Sequence, residues 1–122
     1  MGGEMDRVWI GLGGLAGATA VAMAAYLAHG LPPDAPALAR QQLGSALQMQ
    51  GWHALALLAV GLWAARGGWP AHAAGAAFAL GLLLFCGDVY LLGLRHVSLG
   101  MAPAGGVLLI LGWLLLAFSA VR

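Results

Sequence analysis

The chain has 122 residues, a length that suits one domain (1–122). Of these, 62% are hydrophobic and only 7% charged, against roughly 25% charged in ordinary globular proteins. So few polar side chains cannot cover a soluble fold, and the net charge of +1, with no basic cluster among five arginines, points to no nucleic-acid partner.

The composition therefore predicts an all-α integral membrane protein whose partner is the lipid bilayer. Four apolar segments lie near the ~20 residues needed to cross ~30 Å of hydrocarbon. They are residues 8–29, 45–65, 72–95 and 102–121, predicting four transmembrane helices in one up-down bundle. The acidic start MGGEMDR and the long first apolar core argue against a cleaved signal peptide. The first connection, GLPPDAPALARQQLGS (30–45), is broken by Pro32, Pro33 and Pro36, and its ALARQQLG portion suits a short surface helix. RGGWPA (66–71) reads as a tight turn, with Trp63 and Trp69 in an interfacial aromatic belt. HVSLGMA (96–102) is the third connection, and Pro103 opens the last helix, where its missing N–H costs nothing. The segments leave no extramembrane domain for a soluble active site. Arg7, Arg66 and Arg122 fall on one side and Arg40 and Arg95 on the other, a bias that favours cytoplasmic termini.

Helices in lipid associate through small residues and polar contacts. Gly13 and Gly17 form a G-x-x-x-G, and Gly14, Ala18, Ala22 and Ala25 make a second small stripe on the first helix. Gly75–Ala79 and Ala77–Gly81 repeat the pattern in the third segment, and Gly105, Gly112 and Ser119 share one narrow face of the last. Such faces serve packing within the bundle, with homo-oligomerisation as the other reading.

A few polar residues interrupt these segments. At 100° per residue, Gly81, Phe85, Asp88, Leu92 and Arg95 share a face of the third segment, and Cys86 and Tyr90 share another. Asp88 lies seven residues before Arg95, ~10 Å deep, and His53 lies eight residues into the second segment, ~12 Å deep. Antiparallel neighbours would bring His53 and Asp88 to one level, near Gln50, Met49 and Tyr26, with His29 capping the same side. An intramembrane charge needs a partner, and His53 is the first candidate for Asp88, with Arg95 the second. The candidate polar pocket is thus His29, Gln50, His53, Asp88 and Tyr90. It suits a proton, cation or polar-substrate site, or a structural lock between helices. His29, His53 and Asp88 are the metal-ligand candidates, with Met49 as a further one, although no two of the first three stand at i,i+4. The single Cys86 excludes an intramolecular disulfide and reads as a small buried hydrophobe. No G-x-S-x-G or H-E-x-x-H motif offers a nucleophile and base, and the sequence names no cofactor.

Five stretches occur together: LAHGL (27–31), QMQGWHALALL (48–58), LLLFCGDVYLLGL (82–94), APAGG (102–106) and LGW (111–113). The set resembles the small bacterial inner-membrane family known as domain of unknown function 423. The resemblance implies four transmembrane helices and an inner-membrane location, but no reaction. His29 falls on the family's A-H-G, and Gln50 and His53 on its Q-x-x-H. Gly87 and Tyr90 fall on its F-S-G-x-x-Y, and Pro103, Gly105 and Gly106 on its T-P-x-G-G turn. The chain departs from the pattern at Leu27, Trp52 and Ala102, and at Cys86 and Asp88, where Ser is common. Asp88 thus reads as a replacement for a neutral hydroxyl, and His29 and His53 carry any shared function better. Three functional expectations follow: a membrane protein that binds or scaffolds within the bilayer, a small proton- or ion-coupled transporter acting as an oligomer, or a metal or haem binder through His29 and His53.

Overall fold

The structure, a computed structural model, describes residues 2–122. They form three helices: α1 (Gly2–His29), α2 (Ala37–Arg95) and α3 (Ala102–Val121). Each is long and apolar enough to cross a membrane. The all-α membrane class expected from composition stands, but the helix count differs. The segments expected at 45–65 and 72–95 belong to one element of 59 residues.

A straight helix of that length would measure about 90 Å, some three hydrocarbon thicknesses. The chain instead reverses inside it. Gly68 has φ 68° and ψ −150°, a region essentially restricted to residues without a Cβ. Pro70 follows in the first turn of the second half, where a missing N–H leaves no acceptor unpaired. RGGWPA is therefore a reversal made by one residue rather than a separate loop. The halves, 37–67 and 69–95, lie against each other. The Tyr90 hydroxyl donates to Gln50 Oε1 at 2.6 Å, the Cys86 thiol donates to the Ala46 carbonyl at 3.4 Å, and Leu43 packs against Gly93. These pairs stand about equally far on either side of Gly68.

Two other boundaries move. ALARQQLG is not a separate surface helix but the opening of α2, because Leu43 and Ala46 are wholly buried against the second half. α1 starts at Gly2 rather than near residue 8, since nothing breaks the helix there and Glu4 suits the positive end of its dipole. At the far end of α2, His96 adopts a left-handed conformation (φ 58°). Its N–H reaches Leu92 O and the Val97 N–H reaches Leu91 O, so the amides that leave the helix still satisfy carbonyls of its last turns. His96 is thereby a helix stop.

The folded-back α2 forms the centre, with α1 and α3 each packed on it and not on each other. Close backbone approach makes these contacts. A Cβ on Gly13 would stand 2.9 Å from the Ala54 carbonyl oxygen, and one on Gly81 would stand 3.0 Å from the Gly105 carbonyl oxygen. Gly105 in turn lies against the backbone of Phe85, and Gly112 receives the Phe78 ring. Gly17 and Gly106 are looser, with Ala54 and Phe85 side chains 4.0 Å from a built Cβ. The face of Gly105, Gly112 and Ser119 is buried as its spacing suggests. On α1 only the Gly13–Gly17 face is used, whereas Gly14, Ala18, Ala22 and Ala25 remain exposed.

Candidate functional site

The polar side chains of the bundle resolve into separate clusters rather than one pocket. The first is built around Gln50, which the first half of α2 turns toward α1. Its Nε2 donates to the Ala16 carbonyl at 2.9 Å and to Thr19 Oγ1 at 2.6 Å, and its Oε1 accepts from Tyr90. The Thr19 hydroxyl donates back into its own helix, to Leu15 O at 2.9 Å or Ala16 O at 3.1 Å. One amide thus ties α1 to both halves of α2.

Beside this corner runs a cleft of about 380 Å³ between α1 and the folded α2. Leu12, Leu57, Ala79 and Leu82 line its length, and Gln50, Thr19 and Tyr90 stand at one end. Leu15 and Leu83, which also line it, are 66% and 73% exposed, so the mouth opens sideways from the bundle. The volume lies inside the roughly 300–1,000 Å³ range of small-molecule sites.

The second cluster is His53, only three residues from Gln50 but facing α3. Its Nε2 lies 3.0 Å from the Trp113 indole nitrogen, and its Nδ1 lies 2.7 Å from the Met49 carbonyl. An indole N–H only donates and a carbonyl only accepts. The ring must therefore be the neutral Nδ1–H tautomer, with both nitrogens engaged. Phe78 and Trp113 close around it, with ring centroids 5.5 and 5.7 Å from the imidazole. This is a lock between α2 and α3.

The third is Asp88. No hydrogen bond joins it to His53 among the described residues. Its Oδ1 accepts from the Leu99 N–H at 2.6 Å, and its Oδ2 accepts from Met101 and Ala102 at 2.9 Å each. The Met101 and Ala102 amides are free donors at the start of α3, where a negative charge is also favoured by the helix dipole, and Leu99 lies in the connection just before it. The expected His53–Asp88 partnership is thereby replaced, and so is the expected depth. The second half of α2 runs on past the level at which α3 begins, so Asp88 sits beside a helix end rather than at mid-bundle.

His29 is exposed at the end of α1 and joins none of these clusters. Among the described residues no three of His, Cys, Asp and Glu come together in a way that could hold a metal ion. A ligand set drawn from His29, His53, Asp88 and Met49 does not fit this arrangement, because His53 has no free nitrogen and Asp88 serves α3. Cys86 is buried as expected of a small hydrophobe.

Several participants carry no sequence signal of their own. Trp9 donates to His72 Nδ1 at 2.9 Å and lies over Gly75, tying α1 to the second half of α2. Each outer helix is thus pinned to the centre by one tryptophan–histidine bond. Trp63, expected in an aromatic belt, instead donates to Ser119 Oγ at 2.9 Å. Trp69 is exposed. The Arg122 guanidinium donates to the Gly67 carbonyl at 3.1 and 3.3 Å, satisfying an acceptor freed where the helix breaks at Gly68.

Apolar spanning helices, pinned by interior polar bonds and exposing leucines outward, define a helical integral membrane protein. Residues 23–106 match the family model described as "Protein of unknown function (DUF423)". The chain is 33% identical over 120 residues to a UPF0382 membrane protein of Haemophilus influenzae, covering 97% of each chain. It is 32% identical over 120 residues to the UPF0382 membrane protein YwdK of Bacillus subtilis, covering 95% of this chain and 98% of the relative. It is 34% identical over 106 residues to the UPF0382 inner membrane protein YgdD of Escherichia coli, covering 84% and 80%. The chain belongs to the DUF423 family, as the resemblance in its motifs suggests. No solved structure matches it.

Proposed function

We propose that this protein binds an apolar small molecule taken sideways from the bilayer, in the cleft between α1 and the folded α2. The observation that carries this reading is the cleft itself, with apolar walls, a polar corner at Gln50 and Tyr90, and a mouth among exposed leucines. In this reading the chain crosses a bacterial inner membrane four times, the two halves of α2 each making one crossing. The basic residues Arg7, Arg66 and Arg122 then hold both termini and the Gly68 reversal on the cytoplasmic side.

The cleft favours binding over the transport and metal readings. Transport through Asp88 would need a carboxylate free to exchange protons, yet three backbone N–H groups engage it. A metal or haem on His53 would need a ring nitrogen that Trp113 and Met49 already occupy. The exposed stripe Gly14, Ala18, Ala22 and Ala25 supports self-association through α1 as an additional property, since small residues allow close helix approach.

The test is extraction of co-purifying molecules from wild type and from Gly87→Leu. Gly87 lines the cleft and has nothing within 4 Å of a built Cβ, so a side chain can start there, and leucine takes up space in the site. At least one apolar species should be enriched with wild type and depleted with the variant. Identical extracts would overturn the proposal.

A further inference from the structure

Resting on the cleft as a binding site, we infer that its ligand is a single-chain amphiphile whose head donates a hydrogen bond, namely a hydroxyl-headed lipid. The inference comes from counting what the polar corner has left to offer. Both Gln50 Nε2 hydrogens are spent, on Ala16 O and Thr19 Oγ1. The Tyr90 hydroxyl hydrogen is spent on Gln50 Oε1. The Thr19 hydrogen goes to its own helix, and the Cys86 thiol hydrogen goes to Ala46 O. No donor remains. What remains are lone pairs, because a carbonyl oxygen accepts two hydrogen bonds and a phenol oxygen can accept as well as donate. Gln50 Oε1 and the Tyr90 oxygen each retain capacity to accept.

A corner that can only accept discriminates among lipid heads. A carboxylate, ester or ketone brings more acceptors and gains no bond there. An alcohol brings one donor and gains one. The geometry suits a chain behind such a head. Tyr90 stands five residues from Arg95, ~8 Å along the helix from its end. The apolar lining runs from there toward Ala79 on α2, ~16 Å away, and toward Leu12 on α1. A head at the Gln50–Tyr90 corner would therefore lie nearer the membrane face, with its chain laid inward along the cleft.

The experiment uses the full chain in phosphatidylcholine nanodiscs with three photoreactive probes: a long-chain primary alcohol, its methyl ether and the parent alkane. All carry a diazirine at the same chain position, and adducts are mapped by peptide mass spectrometry. The alcohol should label residues 12–19 and 79–90 about fivefold more than the ether or alkane, the ratio expected for one net hydrogen bond. Gly87→Leu should abolish this labelling, and Gln50→Leu, which frees the Tyr90 hydroxyl to donate to an ether oxygen, should bring the alcohol down to the level of the ether. Equal labelling by all three probes, lost in Gly87→Leu, would overturn the hydroxyl inference and leave the cleft as a chain-binding site. Ether labelling above alcohol labelling would overturn it likewise. No cleft labelling above that of the exposed face of α3 with any probe would overturn the binding site and the inference together.

Discussion

Gln50 and His53 stand less than one helical turn apart on α2, both buried, and they do different work. His53 is saturated, one nitrogen taken by its own helix and the other by Trp113, with aromatic rings closing the space around it. Gln50 is also bonded, but its oxygen retains a lone pair and stands beside an open cleft. A buried polar group with every position filled can hold helices together and nothing more. One with a position left over, next to a space, can recognise something. The distinction lies in the count of donors and acceptors, and residue type does not reveal it.

Substitutions at the two sites break that comparison in order of size. Gln50→Leu should cost most. It removes three contacts among α1 and the two halves of α2, about 2 kcal/mol at ~0.6 kcal/mol for each interhelical contact. Reversible unfolding in mixed micelles measures it, and alcohol selectivity should vanish with it. His53→Phe should cost about 1 kcal/mol, the low end for an orphaned donor, because Trp113 is 46% exposed. Its signature is a shifted tryptophan emission with cleft labelling unchanged, and altered labelling would mean that the two clusters are coupled. Tyr90→Phe should be smallest, about 0.6 kcal/mol, and should keep the preference for the alcohol, since Gln50 Oε1 is still there to accept. Loss of that preference would move recognition from Gln50 to the Tyr90 oxygen.

The membrane class was legible because 62% hydrophobic residues leave no other surface to build. The Gly105–Gly112–Ser119 face was legible because helical spacing alone puts those residues in line. Gln50 and Tyr90 were legible as members of a wider polar set, of which the structure joins these two directly. What spacing could not supply was which helix would stand opposite. His53 was expected to meet Asp88 from α2's other half, but α3 brings Trp113 to it instead. Trp9 and His72 carried no signal of each other until the packing of α1 on α2 joined them. Asp88 looked deep because its depth was counted from Arg95, and helices of unequal reach do not share a zero. Gly68 was visible within a turn motif, but not as the single residue that folds a 59-residue helix back on itself.

α3 contains no ionisable side chain between Ala102 and Val121, so only Arg122, at its far end, marks how far it should sit in the bilayer. Its leucine-rich surface would be almost as well solvated one turn higher or lower. Asp88 supplies a benchmark at the opposite end. A slide of even one residue would pull the Leu99, Met101 and Ala102 amides away from the carboxylate. The one acid within α2 works as the vertical ruler for the start of its neighbour.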